Sequence, residues 1–183
     1  MKLKKMFQAL LSIGLFRLNL GPAEGVIRGD GGHRPDMPVR SMMLKPYRIT
    51  AALSVTEQDH AGRIGYFDVA AGAVVTLPRS TGSGAVYTFF CKTTITSNAM
   101  KVQVANADDT IAGVMLMAQD AGDTIVAFET ASTSDTWSGN GSTTGGIKGD
   151  LITFIDIAEG VFAFTGTGSG TGTEATPFSA AVS

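Results

Sequence analysis

A chain of 183 residues with 44% apolar side chains has material for one domain and a tail, and two full domains are excluded. Charged residues make up only 16%, against roughly 25% in an average soluble domain, so much of the surface is expected to be covered by other subunits. The single cysteine, Cys91, excludes an intrachain disulfide.

Charge divides the chain unequally. Residues 1–48 hold nine of the fourteen basic residues, three of the sixteen acids and four of the six prolines, which makes that part +6 and leaves −8 for residues 49–183. Such asymmetry reads as a basic arm that binds a negatively charged neighbour. Lys2, Lys4 and Lys5 followed by the apolar stretch from Phe7 to Phe16 look like the opening of a secretory signal. However, Arg17 closes the run well short of the ~20 residues of a membrane span, and no small-x-small cleavage site follows. At helical spacing Leu3, Phe7, Leu10, Leu11 and Leu18 share an apolar face, so a short docking helix is expected there. From Gly21 to Pro46 repeated Gly and Pro break helix and sheet alike, which predicts an extended arm of up to about 85 Å at ~3.3 Å per residue. Leu3, Phe7, Leu10, Phe16, Arg17, Leu18, Arg28, Arg34 and Arg40 are the candidate partner-binding residues of this arm. Arg28-Gly29-Asp30 matches an integrin-binding tripeptide, but its expected role is a turn with a local charge pair.

Beyond Ile49 the pattern becomes all-β. Strands are predicted at 49–55, 63–69, 73–77, 86–94, 100–105, 110–118, 124–129, 134–138, 150–157 and 161–165, with no helical period, as in a β-sandwich or jelly roll. In 151–157 both faces are apolar, so that strand is expected to be central or covered, and Ala158-Glu159-Gly160 turns it into a C-terminal hairpin. The body is thus expected to span 49–166. Residues 167–183, opening on Gly alternating with Ser or Thr, are expected to be a flexible tail.

No catalytic or metal-binding set stands out. His33 and His60 have no partners at ligand spacing, and Asp108, Asp109, Asp120, Asp123 and Asp135 fall in turns, where Asx side chains cap the backbone. Cys91 reads as a small buried hydrophobe. Gly139 to Gly149 departs from a phosphate-binding loop because Ile147 stands where lysine is required, so a mobile surface loop is expected. Trp137 reads as core, with a sugar-stacking platform as the alternative.

The stretch from Phe67 to Phe90, with Thr76-Leu77-Pro78, a Gly82-Ser83-Gly84 turn and an aromatic strand, resembles structural proteins of tailed-phage virions. Asp109-Thr110-Ile111-Ala112-Gly113 is similar to the Ile-x-Gly turn of the downstream unit in those proteins. The resemblance covers about residues 64–165. It implies a capsid decoration (cement) protein or head-fibre protein on the outer surface of an icosahedral virion, clamping neighbouring capsomers through its N-terminal arm without catalysis. The expected partners are the major capsid protein and further copies of the chain, as a homotrimer or homodimer; neither nucleic acid, a cofactor, a metal nor a membrane is expected. The alternative is a carbohydrate-binding or host-adhesion module.

Overall fold

A computed structural model describes residues 44–119 and 124–182. Twelve strands lie in two mixed sheets among these residues. They are β1 (Tyr47–Ile49), β2 (Leu53–Ser54), β3 (Ile64–Phe67), β4 (Ala73–Thr76), β5 (Val86–Cys91), β6 (Met100–Gln103), β7 (Thr110–Gln119), β8 (Ile125–Glu129), β9 (Thr136–Gly139), β10 (Leu151–Ala158), β11 (Val161–Gly170) and β12 (Phe178–Ser179). One sheet has seven strands in the order β1-β3-β5-β10-β11-β7-β8, the other five in the order β12-β9-β6-β4-β2.

The first six strands alternate between the sheets, and each of β3 to β6 pairs in parallel with the strand two before it. The chain therefore winds as a short two-sided coil, in the manner of a β-solenoid, with one strand of each turn in each sheet. The second half closes this coil. β10 adds antiparallel to β5, and β9 adds antiparallel to β6, so both growing edges of the coil are paired. β11 returns from β10 as the expected hairpin and then runs parallel to β7 over their whole ten-residue lengths.

Alternation sets the core. Tyr87, Phe89 and Cys91 of β5, Ile152 and Phe154 of β10, and Phe162 and Phe164 of β11 point inward against Val75, Met100, Val102 and Trp137 of the smaller sheet. Phe67, Phe89, Phe154, Phe164 and Phe178 form a chain of edge-to-face rings with centroids 5.1 to 6.2 Å apart, and its last step joins the two sheets.

The all-β sandwich and nearly every predicted strand are present, with four differences. The predicted strand 49–55 is two short strands in different sheets, since the chain crosses between layers at Thr50 to Ala52. The body also begins earlier than expected, because Tyr47 and Arg48 belong to β1. A one-turn helix, α1 (Glu57–His60), forms where Thr56 caps Asp59 N–H and acids occupy the first turn. Most consequential is the C-terminus, where residues 167–182 are not a loose tail but part of the body. Residues 167–170 complete β11, and β12 pairs with β9 and buries Phe178. The Gly alternation has a steric reason: a Cβ at Gly166, Gly168 or Gly170 would fall 2.5 to 2.9 Å from Met115, Asp150, Met117, Phe164 or Glu174 atoms. Glycine here admits large neighbours. The sequence signal of a flexible stretch was a signal of close packing.

Candidate interaction surface

The acidic residues are the natural place to look for chemistry, and four of them are buried: Asp109, Asp135, Asp150 and Asp156. Each binds loop donors. Asp156 accepts from Thr81, Gly82 and Ser83 N–H and from the Thr81 and Ser83 hydroxyls at 2.8 to 3.2 Å. Asp150 accepts from Gly146, Ile147 and Ser169 N–H. Asp135 accepts from the Thr136 hydroxyl and from Ala181 and Val182 N–H, and so ties down the C-terminal segment. Asp109 accepts from Ser80 N–H and Oγ and from Asn106.

Their environments differ. Burial pushes the Asp156 carboxyl up, but the loop N–H and hydroxyl donors outweigh it and hold the group below the usual carboxylate range. At Asp150 burial wins over three backbone donors and the pKa rises. A raised carboxyl is a general-base candidate only where a substrate can reach it, and Asp150 lies beneath the Gly139 to Gly149 loop. That loop is tightly built rather than mobile. Gly141 N–H bonds Gly145 O, Ile95 N–H bonds Gly146 O, and Asn140 gathers Ser142, Thr143 and Thr144.

The other candidates also resolve into packing. Burial pushes the Cys91 thiol up to about 12, far from thiolate chemistry. Trp137 is wholly buried, so it offers no ring face to a sugar, and its indole Nε1 has no protein partner. His60 bonds Thr56 through Nδ1 and stacks edge-on against Tyr47. Among the described residues no group of three or more His, Cys, Asp or Glu is placed to hold a metal ion. A shallow groove between β8 and β12 includes Phe128, Phe178 and Glu129, a single carboxylate without an acid-base partner in its wall. The arm residues Leu3, Phe7, Leu10, Phe16, Arg17, Leu18, Arg28, Arg34 and Arg40, the prolines and the tripeptide beside them, His33, Asp120 and Asp123 lie outside the described residues.

What remains is a surface. The outward face of the seven-stranded sheet can be read strand by strand from the register. One row runs Ile64, Thr88, Thr153, Thr165, Val114, Glu129; the next runs Arg48, Tyr66, Phe90, Leu151, Thr167, Leu116, Ala127; a third runs Val86, Ile155, Ala163, Ala112. Charge occurs in these rows only at the ends, Arg48 on edge strand β1 and Glu129 on edge strand β8. The five strands between present only uncharged side chains, aliphatic, aromatic, threonine and, at the end of β11, Ser169. Leu116 and Leu151 are 42% and 40% exposed, and Ile157 is 59% exposed. By contrast, the outward face of the smaller sheet carries Lys101, Gln103 and Ser138.

Charge gathers at one corner of the larger face. Asp68 holds Arg48 at 2.7 Å and Lys92 at 2.8 Å, and Lys92 lies over the Tyr66 ring at 5.6 Å. Hydrogen bonds from Lys92 and Thr93, with Arg48 beside them, lower the Asp68 pKa to about 2 against a small opposing effect of burial. The pattern is an apolar centre with a charged rim, as at protein interfaces. The sequence showed the strand, but not that five such strands would align their uncharged sides.

Comparison with protein-family models, curated proteins and solved structures found no match to this chain.

Proposed function

We propose that the chain is a non-catalytic virion structural protein, of the capsid decoration or head-fibre kind, whose body is carried on a shell through the basic residues 1–48. The observation that carries this reading is the junction of the two stretches that resemble such proteins. Ser80, just after Thr76-Leu77-Pro78, donates from N–H at 3.0 Å and from Oγ at 2.8 Å to Asp109, which opens Asp109-Thr110-Ile111-Ala112-Gly113. Both residues are buried, so stretches 29 residues apart form one structural unit.

Details of that unit agree with the motif. Gly113 is where β7 meets β11 so closely that a Cβ would fall 1.9 Å from the Phe164 carbonyl oxygen. Gly82, at φ 76°, shapes the turn that wraps the Asp156 carboxylate. A framework whose buried carboxylates fasten loops suits a protein that bears load. The low overall charge and the uncharged sheet face suit one that works among neighbours.

The arm is tested by adding the full-length chain to purified particles lacking it and pelleting them. Wild type is expected to co-sediment, and Arg28→Glu, Arg34→Glu and Arg40→Glu together are expected to weaken co-sedimentation at least tenfold at low salt, less at high salt. Wild type left in the supernatant would overturn the reading, and binding indifferent to the three substitutions would remove the arm's charge from it.

A further inference from the structure

We infer that the uncharged outer face of the seven-stranded sheet is covered by another copy of this chain. The inference goes beyond attachment to a shell and holds whether or not that reading survives.

Three observations select the occupant. The first is size. Five strands of ~4.8 Å width by about 20 Å of length give on the order of 480 Å² of uncharged face, which with the charged edge strands approaches the ~800 Å² each partner contributes to a standard stable interface. A patch of that size is at the upper end for a monomer and marks an interaction site.

The second is charge. From β3 to β7 the rows hold no charged side chain, and the one ion-pair cluster beside them, Lys92 over the Tyr66 ring, is neutralised by Asp68 at the corner of the face. The described residues carry seven Lys and Arg against eleven Asp and Glu, so two bodies repel one another unless they meet where neither bears charge. This face is such a place. A membrane-surface role would call for Lys and Arg free to meet anionic headgroups, whereas Arg48 and Lys92 beside the apolar area are both held by Asp68.

The third is the chemistry of the polar groups within the face. Thr88 and Thr153 pair their hydroxyls across β5 and β10 at 3.1 Å, so covering them strands one hydroxyl proton rather than two. Half-buried Tyr66 and Phe90 supply aromatic anchors, and a sheet face that presents methyl groups in rows accepts another such face at ~10 Å. Because the rows of the face carry no charge to oppose a second copy of themselves, a symmetric pairing needs no second kind of patch.

Sedimentation velocity of the full-length chain at about 10 µM, beside Leu116→Lys/Leu151→Lys and an exposed-loop control, Ser132→Lys, tests this. Wild type and control are expected to sediment as dimers. The double variant is expected to sediment as a monomer with unchanged circular dichroism, since both leucines point to solvent and the core is untouched. Should its circular dichroism change, Thr165→Glu alone repeats the measurement at the middle of the face. A monomeric wild type, or an oligomer whose mass neither face variant alters, would overturn the inference. A monomeric wild type whose face variants lose particle binding would assign the face to the shell protein instead.

Discussion

The buried aspartates show how single residues hold this fold. Asp156 sits on the central strand β10, yet its side chain organises a loop 75 residues earlier in the sequence. Removing it strands three backbone N–H groups and two hydroxyls in a partly buried site. Asp156→Ala is therefore expected to cost about 3 kcal/mol, seen as a lower denaturant midpoint with an unchanged slope; a shift below about 1 kcal/mol would show that water replaces the carboxylate. Asp68 acts differently, at the exposed rim. Its folded pKa of about 2 lies below the ~3.9 of an unfolded chain, so its contribution is present above the unfolded value and is lost as pH falls from about 4 through 2. The stability difference between wild type and Asp68→Asn should accordingly shrink over that range. A difference that stays constant with pH would mean the ion pairs contribute nothing. Asp109 and Asp135, expected to cap their own turns, instead directly precede β7 and β9 and bind Ser80 and Ala181, 29 and 46 residues away, and the sequence did not reveal Asp150 and Asp156 either. Those two lie at and within a strand; the partners of Asp156 come from a distant loop, and Asp150 joins its own adjoining loop to Ser169.

Among the elements, local pattern carried most of the information about strands and little about their partners. The dual-faced apolar run 151–157 was legible as a central strand, and β10 is the fourth of seven. The aromatic alternation of β5 and the Pro78-to-Gly84 turn were legible for the same reason, that burial and turn geometry act over a few residues. Parallel pairing was not, because nothing in Ile64 to Phe67 indicates that it lies between Tyr47 and Phe89. The glycine run misled outright, since composition alone does not distinguish a mobile stretch from one crowded by Met115 and Asp150. This gives the C-terminus a direct check. Phe178 packs on Phe164 with ring centroids 5.1 Å apart at 90°, so Phe178→Ala is expected to destabilise by about 3 to 4 kcal/mol and lower the melting temperature by more than about 10 °C. A melting temperature within about 2 °C of wild type would mean that this segment is a tail after all.

The whole chain combines a basic N-terminal sequence, a body whose acids fasten its own loops, and a broad sheet face whose rows are charged only at the edges. Thr56, Asp59 and His60 share hydrogen bonds at α1, where the Thr56 hydroxyl is the helix cap, while the framework and the face suit assembly. Of this, the charge division and the low charge were legible in composition. The face was not, because it exists only once five strands are in register. The account's central claim is that the chain is a structural component of a virion, present in many copies. The measurement that tests it most directly is the copy number of this chain in purified particles, by quantitative mass spectrometry against the major shell protein. The account predicts a number comparable to that of the shell protein, and absence of the chain from the particles would contradict it.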